Sequence, residues 1–365
     1  MQVHPLQLVP NCVITEDIYG KTNHPIVKKD TIVSETHIQV LQSFLIEEVE
    51  VASRLANGLP FQPQELDQID QIDQLSNFST TKEHKLTFLE HYHQVVDHYR
   101  KLFVSWQSGT PIEIQDVRQL IVPLLERVDF AKSQILLLAN QASKDNYFYH
   151  HSVAISLLTA LLSKRLGWEK EWVQISIAAF LADSGMAKMN RSLFEKKGAI
   201  SEGEFTEIKK HPTYSYRFVE KCSSIGKPAK LAILQHHEKL DGTGYPLGVT
   251  SDKIHSYAKI IAIADAYHAM TSERFYQNNR PFFEVISDMY QLIDIQFDTE
   301  IFKTFVSFIE NVMGGAKVKL SNGEAAEISS IKLGKQKELM VFTKKTKEFI
   351  VLDTHNNVTI ESIIL

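Results

Sequence analysis

The sequence predicts a mainly α-helical protein, in which a helical bundle domain follows a small mixed α/β domain and precedes a small β appendage. Apolar residues recur at helical spacing through nearly all of residues 111–313. Short β-rich runs occur in the first 55 residues, and strand-like runs separated by turn residues fill residues 314–365. Because a chain of 365 residues exceeds the size of most single hydrophobic cores, we expect more than one domain.

The bulk composition is typical of a water-soluble globular protein, with 44% hydrophobic and 23% charged residues. No apolar run reaches the roughly 18 residues that a membrane span needs. The net charge of -5, without a long basic tract, predicts neither binding to polymeric nucleic acid nor membrane insertion. Only Cys12 and Cys222 are present, and the start MQVHPLQLVP does not have the pattern of a secretory signal, so we expect a cytoplasmic protein.

Two segments precede the main helical domain. Residues 1–55 are predicted to form the small mixed domain, with β-rich runs at 12–14 and 49–51 around a helical stretch at 35–44. Residues 56–110 are predicted to form a helical connecting region. Within it, ELDQIDQIDQL at 65–75 has the composition of a mobile connection, although an exposed amphipathic helix fits the pattern equally well. A helical pattern at 84–106 then ends at the Ser108-Gly109-Thr110-Pro111 break, which predicts the next boundary.

Residues 111–313 are predicted to be all helical, because glycines and prolines, among them Gly167, Gly226 and Pro281, divide them into helix-length stretches. Residues 314–365 differ in character. The run Val318 to Gly323 predicts a strand and an Asn-Gly hairpin turn, and the runs at 339–342 and 349–352 predict further strands.

Histidines give the first indication of chemistry. The helical region contains His150, His151, His211, His236, His237, His255 and His268. Imidazoles and carboxylates together suit iron, manganese, zinc and similar ions, and phosphodiester hydrolysis commonly needs a Lewis acid. The clustering therefore favours a metal-dependent phosphohydrolase.

Three of the candidate ligands are weak when each is considered alone. His151 begins a strongly apolar helix, where a hydrogen-bonded core histidine is the commoner case. Asp183 ends another apolar helix, so it either caps that helix or pairs with a cation. His211 precedes Pro212 after a helix with a capping box, and a surface turn residue would give the same pattern.

The segment HHEKLDGTGYP at 236–246 is more specific. Adjacent helical residues point about 100° apart, so His236 and His237 can reach one ion only at a helix end. Gly242 and Gly244 allow the backbone to approach a phosphate or base, and Tyr245 offers a ring or hydroxyl.

A fifth segment, KIIAIADAYHAMTSERFY, places Asp265 in an apolar helix. A carboxylate there needs a cation, and a buried pair with Arg274 is the alternative to a metal.

In this order, the five segments resemble the HD-GYP subgroup of HD-superfamily phosphohydrolases over residues 111–313. The resemblance implies an HD-type helical bundle that binds cyclic di-GMP. It implies one ion held by His151, Asp183 and Asp265, and a second held by Asp183, His211, His236 and His237. Iron or manganese is implied in preference to zinc. A hydroxide between the ions would attack phosphorus, with Asp183 as the catalytic carboxylate. The implied substrate-binding residues are Gly242, Gly244, Tyr245, Pro246 and Arg274.

The sequence departs from the family pattern in the defining His-Asp pair. Ala182 stands in the place of its histidine, and Met186 in the place of the lysine three residues after the aspartate. Tyr147 occupies the position of a glutamate in some three-metal members, and Phe275 that of a common proline. One or two ions are therefore expected, with His150 or His268 as replacement donors that the sequence leaves open.

Two functions follow as hypotheses. The first is a cyclic di-GMP phosphodiesterase weakened by the loss of a metal ligand. The second is a noncatalytic sensor that binds cyclic di-GMP, or a signalling protein, through the DGTGYP loop. The sequence leaves open whether the protein is an enzyme.

Overall fold

The computed structural model describes residues 1–19, 25–34, 37–38, 41, 46, 48–63, 86–190, 193, 196, 198, 200–275, 279–333, 338–343, 345–352, 358 and 360–364. These residues belong to two compact units, Met1–Lys85 and Leu86–Leu365. The predicted segment 65–75 and most of the predicted helix at 35–44 lie outside the described residues.

The first unit contains short antiparallel strand pairs. Strand β1 (Gln2–Val3) pairs with β4 (Val49–Glu50), and β2 (Ile18–Tyr19) pairs with β3 (Pro25–Val27). A 3-10 turn spans Pro5–Gln7. The predicted β run at 12–14 contributes isolated bridges, which join Val13 to Ile32 and Ile14 to Val51. The apolar side chains of these runs form a core of their own.

The second unit is mainly helical, as the sequence predicts. Its α-helices are α1 (Phe88–Gln107), α2 (Ile114–Leu125), α3 (Lys132–Leu136), α4 (Tyr147–Arg165), α5 (Trp172–Leu181), α6 (Glu202–Ile208), α7 (His211–Val219), α8 (Lys227–Gln235), α9 (Ser256–Thr271), α10 (Phe282–Tyr290) and α11 (Thr299–Met313). Short 3-10 turns lie at Val128–Phe130, Leu138–Gln141, Ser184–Lys188 and Ser251–Lys253.

Helix α4 lies at the centre of this unit. Its residues from 150 to 163 are all buried, because α1, α5 and α9 pack around it. A helix that is apolar on every side is the expected consequence of burial on every side. Helix α1 begins at a capping box, in which Thr87 and Glu90 satisfy each other's backbone N–H groups. It then buries an aromatic face that includes Tyr92, Tyr99 and Trp106.

The end of the chain forms a five-stranded antiparallel sheet of order β8-β7-β6-β5-β9. Its strands are β5 (Lys317–Leu320), β6 (Ala325–Lys332), β7 (Glu338–Thr343), β8 (Glu348–Val351) and β9 (Ile360–Ile364). The predicted Asn322-Gly323 turn joins β5 to β6, and Gly323 has a φ of 84°, which glycine adopts without strain. Alternate residues of β5, Val318 and Leu320, are buried with the helical core.

The predicted fold class is confirmed, with helices in the main domain, strands at the start and a sheet at the end. The division into segments at residues 55, 110 and 313 stays a prediction. Within the described part of the chain, no helix is both long and apolar enough to span a bilayer.

Candidate metal centre

Six side chains predicted from the sequence as ligands meet at one place in the second unit. They come from separate elements: His151 from α4, Asp183 from the end of α5, His211 from the start of α7, His236 and His237 from the end of α8, and Asp265 from α9. Helix α8 ends at Gln235, so both adjacent histidines lie past its last residue, where their rings approach to 4.1 Å between centroids.

Asp183 lies at the centre of the group. Its Oδ1 atom is 3.0 Å from Nε2 of His211 and 3.6 Å from Nε2 of His236. Its Oδ2 atom is 3.6 Å from Nε2 of His151. The two oxygens of one carboxylate therefore face different histidines.

Asp265 completes the second side of the group. Its Oδ1 is 2.8 Å from Nε2 of His151, and its Oδ2 is 3.5 Å from Nδ1 of His237. The alternative predicted partner, Arg274, donates instead to the hydroxyl of Tyr147 at 2.6 Å. The apolar helix α9 thus carries a carboxylate that is surrounded by imidazoles.

The backbone fixes the orientation of two imidazoles. Nδ1 of His211 donates to the carbonyl of Ile208 at 2.7 Å, and Nδ1 of His236 donates to the carbonyl of Ile233 at 2.8 Å. With Nδ1 bound to the backbone, each ring directs its Nε2 atom towards Asp183. Metal-binding histidines commonly donate their other N–H in this way.

One donor set is complete enough to hold an ion. One ligand atom from each of Asp183, His211, His236 and His237 lies within 4.8 Å of the others. Three imidazoles and one carboxylate suit a transition metal such as iron, manganese or zinc. The donor set therefore fits the divalent metal that the HD resemblance implies.

The protonation states of Asp183 and His237 favour binding of a cation, whereas the pKa of His236 is lowered by burial but raised above its ordinary value by its hydrogen bond with Asp183. Burial raises the pKa of Asp183, but hydrogen bonds from His211 and His236 outweigh this effect and hold it well below its ordinary value. Burial, followed by the neighbouring charge of His236, lowers the pKa of His237 well below its ordinary value. An ionised carboxylate and a neutral imidazole are the forms that coordinate metals.

A second layer of contacts surrounds His151. Its Nδ1 lies 3.0 Å from the hydroxyl of Tyr147 and 3.0 Å from Nδ1 of His268. The guanidinium of Arg274 stacks over the Tyr147 ring at 4.3 Å. Tyr147, which stands where some three-metal members of the resembled family carry a glutamate, contacts His151 and Arg274 through its hydroxyl.

Neither replacement histidine supplies an additional donor next to Asp183. His150 points to α1, where its Nδ1 lies 2.9 Å from the Tyr92 hydroxyl. His268 contacts His151 on the side away from the carboxylates. Lys188, the nearest lysine to the position of Met186 in the sequence, lies over the ring of Phe218.

The loop DGTGYP at 241–246, which we call the GYP loop, is held by a residue that the sequence analysis did not identify. The buried carboxylate of Glu238 accepts hydrogen bonds from the backbone N–H groups of Leu247, Gly248 and Val249, at 2.6, 3.2 and 3.1 Å. The sequence signal that could have identified Glu238 is its position as an acidic residue directly after the paired histidines. Glu238 therefore ties the loop to the end of α8.

Gly244 lets this loop pass close to the histidines. A Cβ atom at Gly244 would lie 2.4 Å from the backbone nitrogen of Lys239 and 2.5 Å from the carbonyl oxygen of His237. The next residue, Tyr245, packs its ring against that of His237 with centroids 4.7 Å apart, and its peptide bond to Pro246 is cis. Tyr245 thereby covers one of the candidate ligands.

A second close approach fixes Asp183 relative to His211. Ser215, on α7, donates to the carbonyl of Ala182 at 2.6 Å and accepts from the N–H of Gly185 at 2.7 Å. A Cβ atom at Gly185 would lie 2.2 Å from the carbonyl oxygen of His211. Sequence reasoning missed Gly185 and Ser215, because their contact joins elements 30 residues apart.

A cavity of about 330 Å³ opens beside the cluster. Its lining includes five of the six candidate ligands, namely His151, Asp183, His211, His237 and Asp265. Of the predicted substrate-binding residues, Tyr245 and Arg274 line it, whereas Gly242, Gly244 and Pro246 shape the loop that carries Tyr245. Met186 lines the cavity as well.

Comparison with known proteins identifies the domain that contains this site. The HD domain family matches residues 135–301. The chain is 29% identical over 223 residues to a cyclic di-GMP phosphodiesterase of Pseudomonas aeruginosa, covering 61% of this chain and 54% of that protein. It is 32% identical over 187 residues to a cyclic di-GMP phosphodiesterase of Borreliella burgdorferi, covering 51% and 49%. It is 31% identical over 161 residues to a 3′3′-cGAMP-specific phosphodiesterase of Vibrio cholerae, covering 44% and 35%.

The chain spans about half the length of the first two relatives. The match to the HD domain includes all six candidate ligands, from His151 to Asp265. Residues 135–301 therefore form an HD domain, and over this region the chain is similar to bacterial cyclic dinucleotide phosphodiesterases.

Proposed function

We propose that this protein is a metal-dependent phosphodiesterase that hydrolyses cyclic di-GMP, with activity weakened by an incomplete metal site. The observation that carries the proposal is the convergence of Asp183, His211, His236 and His237 within 4.8 Å beside a cavity. The relatives named as cyclic di-GMP phosphodiesterases support this reaction class.

The chain offers two unequal sets of ligands. Asp183, His211, His236 and His237 would hold one ion, preferably iron or manganese, with a full set of four donors. His151, Asp265 and the second oxygen of Asp183 would hold another. When bound, such ions polarise phosphodiester oxygens and lower the pKa of water.

The residues of the chain position these groups before substrate arrives. The low pKa of Asp183 keeps it ionised, and the carbonyls of Ile208 and Ile233 keep the Nε2 atoms of His211 and His236 directed towards it. Arg274, held by Tyr147, brings a positive charge to the cavity wall on the His151 side. That charge favours an anionic phosphodiester.

The weakened activity follows from Ala182. This residue is fully buried, and its methyl group has no donor atom for a metal. Removal of an outer hydrogen-bond partner of a ligand commonly weakens metal binding about 10- to 100-fold, and a missing ligand should cost at least as much. The His151 set therefore has lower affinity than the His211 set.

The absence of a metal ligand at Ala182 also favours a second candidate function. With Ala182 and Met186 in these positions, the cavity could bind cyclic di-GMP without hydrolysing it, as a sensor does. The two functions share the cavity and differ only in turnover.

One experiment distinguishes them. Purified protein is loaded anaerobically with Fe²⁺ or Mn²⁺ and incubated with cyclic di-GMP, and the linear dinucleotide is quantified beside an Asp183→Ala control. Release above the control supports the phosphodiesterase. Calorimetric binding of cyclic di-GMP without release supports the sensor, and absence of both contradicts both functions.

A further inference from the structure

One part of the cavity lining is apolar, although the cavity adjoins a highly polar cluster. We call this part the apolar wall, and it consists of Met186, Leu193, Ile200, Phe205 and Ile208. Phe205 and Ile208 are three residues apart on α6, so they share one face of that helix. The remaining lining includes the charged side chains of Lys144, Asp183, Asp265 and Arg274.

Ring contacts connect the apolar wall to the metal ligands. The ring of Phe205 meets that of Tyr245 edge to face, at 6.4 Å between centroids. Tyr245 in turn contacts the rings of His237 at 4.7 Å and His211 at 6.3 Å. On the other side of the cluster, contacts run from His151 through Tyr147 to Arg274. Phe205 is therefore connected through Tyr245 to His237 and His211, whereas Arg274 is connected through Tyr147 to His151.

Among the rings that line the cavity, Phe205 combines high exposure with a contact to Tyr245. The Tyr245 ring lies 4.7 Å from the His237 ring and is tilted by 32° to it, so part of its surface is already covered. Phe205 is 46% exposed, although it lines the cavity. Helix α6, which carries it, has no buried residue. Lys209 places its amino group 4.8 Å from the centroid of the Phe205 ring, so the ring has a cationic neighbour as well as exposed surface.

We infer that the apolar wall is a purine subsite, in which Phe205 stacks on one base of a cyclic purine dinucleotide while the phosphodiester lies at the metal cluster. This inference rests on the proposed function and names the part of the substrate that the wall recognises. Aromatic rings bind bases by stacking without regard to the identity of the base. Met186 then acts as an apolar, polarisable neighbour of the base, since thioethers pack well against aromatic rings.

The test uses variants of the full chain and a probe that resists hydrolysis, the bisphosphorothioate analogue of cyclic di-GMP. Titration calorimetry on metal-loaded protein gives its Kd for the wild type, Phe205→Ala and Phe205→Trp. Phe130→Ala is the matched control, because Phe130 is 93% exposed and does not line the cavity. Metal content is measured on every variant.

Loss of one stacked ring should raise the Kd of Phe205→Ala by about 10- to 100-fold. Phe205→Trp and Phe130→Ala should stay within about twofold of the wild type, because one keeps a ring and the other is distant. Unchanged metal content would show that the effect concerns the base.

An unchanged Kd in Phe205→Ala would overturn the purine subsite while leaving the proposed phosphodiesterase intact, since hydrolysis is measured separately. Loss of metal from Phe205→Ala, or equal weakening by Phe130→Ala, would also overturn it. If the wild type fails to bind the probe yet hydrolyses cyclic di-GMP, the subsite alone is wrong. If it does neither, the subsite and the proposed function fail together.

Discussion

Asp183 and His211 are joined by a 3.0 Å contact between Oδ1 and Nε2, while the other oxygen of Asp183 faces His151 at 3.6 Å. In the proposed arrangement, the same carboxylate therefore belongs to a four-donor set and to a poorer three-donor set. Because the two oxygens face different histidines, the absence of a histidine at position 182 affects the three donors around His151. The four donors around His211 stay in place.

His151→Ala and His211→Ala should therefore have different effects on metal content. His151→Ala retains Asp183, His211, His236 and His237, so we expect it to keep one ion per chain. His211→Ala removes a donor from the complete set, and its metal affinity should fall at least about 10- to 100-fold. Elemental analysis after dialysis against a weak chelator measures this difference. Equal metal loss in the two variants would contradict the assignment of two sets.

Ala182→His should restore a donor to the weaker set. We expect more ions per chain than in the wild type, because the new imidazole would begin beside Asp183. Ala182→Leu is the control, since it adds volume without a donor. Both substitutions enter a fully buried position and should cost about 1–3 kcal/mol from overpacking. Ions are counted per folded chain, and equal counts in both variants would show that position 182 does not face the metal site.

Gly244→Ala should disrupt the GYP loop, because its Cβ would lie 2.4 Å from the backbone nitrogen of Lys239. We expect a loss of stability of about 1–3 kcal/mol and weaker binding of cyclic di-GMP. Gly203→Ala is the matched control, because no atom lies within 4 Å of its added Cβ. In helix α6 this change should stabilise the protein by as much as about 1 kcal/mol. Thermal midpoints measure both effects, and a neutral Gly244→Ala would contradict the role of the close approach.

His150 should make the stability of the metal-free protein depend on pH. Burial, and next the charge of His93, lower the pKa of His150 to about 4 from its ordinary value of 6.5. Between these values the unfolded chain binds a proton that the folded chain does not, so stability falls as pH decreases through this window. The change from this residue is at most about 1.4 kcal/mol per pH unit, and it ends below pH 4.

The variant His150→Gln isolates this effect from that of other buried histidines. Glutamine retains a polar partner for Tyr92 but does not titrate, so its free energy of unfolding should decrease less between pH 6.5 and 5. Urea unfolding followed by tryptophan fluorescence measures the two slopes. Identical slopes would indicate that His150 is protonated in the folded protein.

Periodicity and turn residues were sufficient to predict the helical domain, the strands at both ends and the Asn322-Gly323 hairpin. They also indicated that His236 and His237 stand at a helix end, since the glycines follow at once. These features depend on residues that are close in sequence. The physical reason is that helical period and turn geometry are local properties of the chain.

The contacts that position the ligands could not be predicted in the same way. Ser215 binds the backbone of Ala182 and Gly185, and Arg274 binds Tyr147 across 127 residues. Such pairs depend on how the helices pack against each other, and this packing cannot be predicted from the spacing of residues in the sequence. The same limit applies to His150, whose direction towards Tyr92 depends on the position of α1.

The number of ions per chain tests the central claim most directly. Protein loaded anaerobically with Fe²⁺ or Mn²⁺ and then dialysed should retain at least one ion per chain. Asp183→Asn should retain almost none, because Asp183 contributes to both donor sets. A wild type that retains no ion, or an Asp183→Asn variant that retains as many as the wild type, would contradict a metal centre at these residues.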